Sequence, residues 1–163
     1  MIIDLRQLFE LVDERVPVEY DLDLRDYELF NGKPFITPVM VRGLLKNVAG
    51  IVTLDYSVSF TMKLACDRCL KEFEREFSER FEHILVNRLE SDDEDFILVE
   101  DMLLNLDELI VSDVLLSMPS KILCSEECKG LCPKCGKDLN QGDCGCTEPK
   151  GDPRFDVLKQ LLT

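Results

Sequence analysis

Tryptophan is absent from the sequence, and the 163 residues include a single histidine, His83. One imidazole cannot build a histidine-rich reaction centre, and His83 lies outside every group of cysteines. No glycine-rich phosphate loop, nucleophile elbow or Ser–His–Asp candidate set is present, which removes the usual signatures of nucleotide-dependent and hydrolytic enzymes. Positive charge is also scarce. Nineteen Lys and Arg face 33 Asp and Glu, for a net charge of −14. A chain this acidic is repelled by a phosphate backbone, because non-specific nucleic-acid binding needs clustered Lys and Arg. Long apolar runs are missing too, since charges interrupt them every few residues, so nothing here reads as a bilayer span. The first ten residues show no basic start leading into an apolar stretch. No secretory signal is therefore expected, and the cytosol is the expected compartment.

What is present describes a soluble globular chain. Apolar residues make up 45% and charged residues 32%, and the length suits one domain with a real core. The acidity is concentrated: residues 82–120 hold eleven acids against Arg88 alone, whereas residues 63–81 and 121–163 balance. That stretch favours a basic partner, or it simply keeps a small protein in solution.

Residues 52–64 alternate without a break. Val52, Leu54, Tyr56, Val58, Phe60, Met62 and Leu64 are separated by Thr, Asp, Ser and Lys, the pattern of a long antiparallel strand with one wet face. Phe73, Phe77, Phe81 and Leu85 fit a helical stripe and one face of a strand equally; a strand pairing back across the Cys66–Cys69 turn is the favoured reading. Strands are also expected over residues 16–24, 35–45 and 96–99. Pro34 and Pro38 confine the second to an edge or a strand start, with turns at Asn31-Gly32 and residues 47–50. Residues 91–95 read as a solvated acidic loop. Asn105 and Glu108 resemble a capping box before a helix carrying Leu106, Leu109, Ile110, Val114 and Met118, which Pro119 ends. Asp152 and Pro153 open a last helix with Phe155, Leu158, Leu161 and Leu162 on its apolar side. The expected fold class is α+β: a mostly antiparallel sheet, two or three helices and a small C-terminal zinc-ribbon insertion. Residues 1–123 form the core, and residues 124–163 form a cysteine-rich segment with a helix packed on it.

Eight cysteines in a reducing compartment point to metal before disulfides. The strongest local signal is Cys132-Pro133-Lys134-Cys135-Gly136, followed by Cys144-Gly145-Cys146. A two-residue gap aims both thiolates at one ion, and Gly136 lets the backbone curl so that amides face the sulfurs. A segment this short and polar cannot fold by burial, so a bound ion supplies the folding energy. Cys66 and Cys69 end the long strand, while Cys124 and Cys128 follow the helix; if the two ends meet, they complete a second four-thiolate site. Cys66 and Cys69 could instead be buried small hydrophobes. Alternatively, Cys124, Cys128, Cys132 and Cys135 could share one ion. An all-thiolate site is closed and electron-rich, a poor activator of water, so the expected role is structural zinc, two ions, and no enzymatic activity. Iron–sulfur ligation is chemically open to the same donors, and a redox pair at Cys66 and Cys69 would require an exposed, acidic thiol.

The residues Cys66-Asp67-Arg68-Cys69-Leu70 after a strand, Asp107-Glu108-Leu109 through Leu116 and Pro119 resemble the YceD-type family of bacterial large ribosomal RNA subunit accumulation proteins. The stretch from Gly130 to Asn140 with Asp152-Pro153-Arg154-Phe155 is similar to a variant with a cysteine-rich tail. The resemblance covers most of the chain from about residue 35 onward. Family members with only the first Cys-x-x-Cys carry later ligands where Cys124 and Cys128 stand, which implies the grouping Cys66, Cys69, Cys124 and Cys128. It also implies a part in accumulation of large-subunit ribosomal RNA, hence in ribosome biogenesis, without a defined molecular mechanism. The expected partner is then a basic ribosomal protein or a large-subunit assembly intermediate, bound through the acidic 82–120 region, with no membrane and no small-molecule substrate. The second reading is direct binding of ribosomal RNA by Arg68, Lys71, Lys129, Lys134 and Lys137; the plainer role of these cations is solubility and stabilisation of the nearby thiolates.

Overall fold

The structure is a computed structural model that describes residues 1–30, 32–88 and 96–146. In chain order it contains β1 (Ile2–Asp4), α1 (Arg6–Glu10), β2 (Arg15–Leu22), β3 (Val39–Val48), β4 (Ile51–Ala65), β5 (Glu72–Val86), β6 (Phe96–Leu98), β7 (Leu103–Asn105) and α2 (Leu106–Ser117). Short 3-10 turns occupy Glu100–Met102 and Leu139–Gln141. The architecture is a mostly antiparallel sheet with two α-helices and a cysteine cluster near the C-terminal end of the described chain. The expected acidic loop at residues 91–95 and the helix opening at Asp152 and Pro153 lie outside the described residues.

Five strands form one sheet in the order β2-β3-β4-β5-β6, antiparallel except for the last pair. The alternation that marks residues 52–64 buries Val52, Leu54, Tyr56, Val58, Phe60, Met62 and Leu64 on one face. β3 starts immediately after Pro38; Phe35 makes only an isolated bridge to Met62. Ala49 and Gly50 join β3 to β4 with φ of 55° and 86°, the two-residue hairpin geometry whose twist matches the strands. Leu29 and Gly32 exchange backbone hydrogen bonds at 2.8 and 3.1 Å, closing the next turn upstream; Asn31 lies outside the described residues. β5 pairs with β4 along nearly its whole length, from Val52 opposite Leu85 to Ala65 opposite Glu72. The strand reading of the ambiguous phenylalanines therefore holds.

α1 and α2 bury the inner face. Leu5, Leu8, Leu106, Ile110 and Val114 pack into one core with the β4 residues. Across that core Tyr56 donates its hydroxyl to Asp113 of α2, and His83 Nε2 lies 2.6 Å from the same carboxylate. His83 is thus half-buried and tied to α2. The start of α2 differs from the capping-box expectation. Asn105 occupies the cap position, yet its side chain makes no cap hydrogen bond. Asn105 belongs to β7, which pairs with β1, and the Leu106 N–H is taken by the Met1 carbonyl at 3.0 Å. A backbone carbonyl from the other end of the chain thus satisfies one of the free N–H groups in the first turn of α2. No helix among the described residues is long and apolar enough to cross a membrane.

Candidate metal centre

Two Cys-x-x-Cys turns in this chain have the same backbone. In the first, the Cys66 N–H donates to the Lys71 carbonyl at 3.0 Å and the Leu70 N–H donates back to Cys66 at 2.8 Å. In the second, Cys132 donates to Lys137 at 2.8 Å and Gly136 to Cys132 at 2.9 Å. The residue after the second cysteine is left-handed in both, with φ of 60° at Leu70 and 72° at Gly136. A strand pair closes each base: Ala65 opposite Glu72 in the first, and an isolated bridge between Leu131 and Asp138 in the second. Such a turn gathers successive N–H groups on one side, where they face anionic sulfur.

Cys124 and Cys128 reach the first turn because the chain after α2 is bonded to it. The Asp67 N–H donates to the Ile122 carbonyl at 2.8 Å, and the Asp67 carboxylate accepts the Ile122 N–H at 2.7 Å. Arg75 holds the Leu123 carbonyl at 2.6 Å, and Arg68 holds that of Cys128 at 2.8 Å. Gly130 then passes against the turn with φ of 75°; a Cβ there would lie 2.8 Å from the Arg68 carbonyl oxygen. As a result, the sulfurs of Cys66, Cys69, Cys124 and Cys128 all lie within 4.8 Å of one another. Cys66 and Cys128 are 3.8 Å apart, and Cys69 and Cys124 are 3.7 Å apart. Zinc–sulfur bonds of about 2.3 Å in a tetrahedron require sulfurs about 3.8 Å apart, so the donor set fits a single ion of that size. Cys66, Cys69 and Cys128 are buried, with Phe73, Leu123 and Leu131 packed against them.

Cys132, Cys135, Cys144 and Cys146 form the second group, again within 4.8 Å. This one is open to solvent: Cys132 is buried and Cys144 half-buried, but Cys135 and Cys146 are exposed. Asn140 connects the two groups. Its Oδ1 accepts the Lys129 N–H at 2.8 Å, and its Nδ2 lies 3.4 Å from the Cys128 sulfur. Sequence reasoning passed over Asn140 as one more polar residue; only its placement on the turn Leu139–Gln141 reveals the role. His83 and its partner Asp113 belong to the core network and stand in neither group.

The electrostatics of the two turns agree. Burial pushes the Cys66 thiol up, but N–H groups of Cys124, Cys69 and Arg68 outweigh it and hold Cys66 at about 6. In the second turn the N–H groups of Cys135 and Lys134, with the Cys144 thiol, hold Cys132 at about 6. Their neighbours move the other way. Burial and adjoining sulfurs push Cys124 up to about 12, and the Cys135 and Cys144 sulfurs do the same to Cys146. Four sulfurs this close repel as thiolates, and a divalent cation relieves that repulsion.

The basic residues near these turns divide. Arg68 is spent on the carbonyls of Cys128 and Glu126, and Lys137 donates to the Asp143 carbonyl at 2.8 Å. Lys71, Lys129 and Lys134 are exposed on the surface. In the acidic region, Asp107 accepts from Tyr20 at 2.7 Å and Asp113 from Tyr56, so these two acids serve the fold.

A sheet with a Cys-x-x-Cys turn at one end, completed by a cysteine pair after a helix, defines a protein with thiolate clusters of metal-binding geometry. The family model for the large ribosomal RNA subunit accumulation protein YceD matches residues 54–162. A curated relative, the Uncharacterized protein YlbN of Bacillus subtilis (strain 168), is 31% identical over 130 residues, covering 78% of this chain and 76% of that protein. The chain belongs to the YceD family. No solved structure matches it.

Proposed function

We propose that this protein is a non-enzymatic, cytoplasmic zinc-binding factor that supports accumulation of large-subunit ribosomal RNA by binding a ribosomal protein or an assembly intermediate. Family membership supplies the biological process. The observation that carries the molecular part is the first sulfur cluster, where tetrahedral spacing coincides with burial of Cys66, Cys69 and Cys128. Four protein thiolates leave no open coordination position, and Cys66, with no exposed surface, presents no thiol to a substrate. Both features favour a structural ion over a catalytic or redox one. In this reading Cys66, Cys69, Cys124 and Cys128 staple the strand turn to the chain after α2. Cys132, Cys135, Cys144 and Cys146 fold a small zinc ribbon on the flank, and the cysteine-rich segment over residues 124–163 thus serves both sites.

Direct RNA binding is the weaker reading, because Arg68 and Lys137 are already engaged; exposed Lys71 and Lys129 beside the clusters favour what remains of it. Sedimentation of tagged protein with ribosomal precursors separates the two. Association with large-subunit precursors that survives ribonuclease treatment of exposed RNA supports protein docking. Association that vanishes with the RNA, and with charge reversal at Lys71 and Lys129, supports RNA contact. Absence from every precursor fraction contradicts both.

A further inference from the structure

β5 is longer than the strand beyond it. β6 covers its outer side only at Ile84, Leu85 and Val86. Among the described residues, no backbone group outside β4 pairs with residues 73–82, which leaves one row of their N–H and C=O groups without a backbone partner there. Such an edge is a template for another strand unless something blocks it. The opposite edge of the sheet is blocked: β2 is eight residues long and has Pro17, which lacks an N–H, in its middle. β5 carries no proline.

The side chains along this edge specify what can join it. Glu74, Glu76 and Glu82 point to the wet face, and Glu79, although on the inner face, is exposed as well. None of these four carboxylates makes an ion pair among the described residues; the cations beside them are engaged elsewhere, Arg75 with the Leu123 carbonyl, Lys63 with Glu72 and Arg80 with Asp55. On the inner face Phe73 and Phe81 are only partly covered. With Arg75 and Arg80 engaged by the Leu123 carbonyl and Asp55, the glutamates leave net negative charge free along the edge, which suits a segment of the opposite charge.

We propose that the open edge of β5 receives an extended segment of a partner protein as an added strand, with basic side chains over the glutamates and apolar ones beside the phenylalanines. Backbone hydrogen bonds provide the attachment, and alternate side chains provide the selectivity. The inference rests on the reading of this protein as one that docks a basic partner, and it moves the contact from the acidic 82–120 stretch to a defined strand.

The test uses the full-length, metal-loaded protein and a synthetic peptide of alternating lysine and valine. Binding is followed by fluorescence anisotropy and by amide hydrogen exchange. The expected result is protection of β5 amides within residues 73–82, with binding at least about tenfold weaker for the triple variant Glu74→Lys, Glu76→Lys, Glu79→Lys. A peptide of equal charge with N-methyl groups on alternate residues should lose binding. Equal binding by that peptide overturns the proposal, because simple charge attraction then suffices. Protection of the same amides in the free protein, together with a dimer in sedimentation, also overturns it by placing a second copy on the edge. If peptide binding fails while the wild type still sediments with large-subunit precursors, the edge is wrong and the functional reading stands. If peptide binding holds but no precursor associates, the functional reading is the one that fails.

Discussion

Leu70 and Gly136 occupy the same position in two superposable turns, each left-handed and each donating its N–H to the first cysteine of its pair. One turn grows from the longest hairpin of the sheet; the other stands on a single bridge between Leu131 and Asp138. The chain thus builds one sulfur-gathering device twice, once anchored in the fold and once nearly free of it.

The shared geometry makes opposite predictions for the two positions. Leu70 is 67% exposed, so its side chain contributes little packing, while its left-handed backbone is strained. Leu70→Gly should raise stability by roughly 0.5–1 kcal/mol, and Gly136→Ala should lower that of the second turn by a similar amount. Denaturant unfolding of the first variant, and the metal affinity of the second, check the two signs.

Burial sets the order of metal loss. Challenge with a strong chelator should remove metal in two phases, the first from the cluster with exposed Cys135 and Cys146, the second from the cluster around buried Cys66. Cys146→Ser should abolish the fast phase alone. Release of all metal in one phase contradicts the independence of the sites.

Metal uptake should depend on pH with a break near 6. In the metal-free fold Cys66 and Cys132 are held at about 6 against an ordinary thiol value of 9.0. A value depressed on folding contributes stability that is present above the ordinary value and lost as pH falls through the depressed one. Below pH 6 one further proton per site must be displaced, so affinity should fall more steeply there than above. Competition with a chromophoric chelator across this range reads the slope; a break near 9 instead would show that the turn amides do not act on these sulfurs.

Asp113 joins α2 to β4 and β5 through Tyr56 and His83. Asp113→Ala leaves the Tyr56 hydroxyl buried without its acceptor and should cost about 2–4 kcal/mol of stability. Because the network touches neither sulfur cluster, metal content should be unchanged. Equilibrium unfolding paired with metal analysis checks both halves.

Much of this was legible in residue order, and the failures have physical causes. The period of two in β4 announces a half-buried strand. In β5 the phenylalanines recur every four residues, a spacing that satisfies helix and strand alike, and only the pairing across Cys66 and Cys69 decides. β1 and β7 are invisible because three residues carry no period and their partners lie about a hundred positions apart. The expected Asn105 side-chain cap does not form; Asn105 is instead part of that distant pairing. The spacing of Cys132 and Cys135 declares a turn by itself. The meeting of Cys66 with Cys128 depends on Asp67, Arg68 and Arg75 binding backbone groups of residues 122–128, and those side chains read in sequence only as charge.

The most direct measurement is elemental analysis of protein purified without added metal, for the wild type and for Cys66→Ser and Cys132→Ser. Two equivalents of zinc in the wild type, falling to one in each variant, are what two separate four-sulfur sites predict. Near-zero metal in the wild type, or loss of all zinc from either variant, would contradict the account.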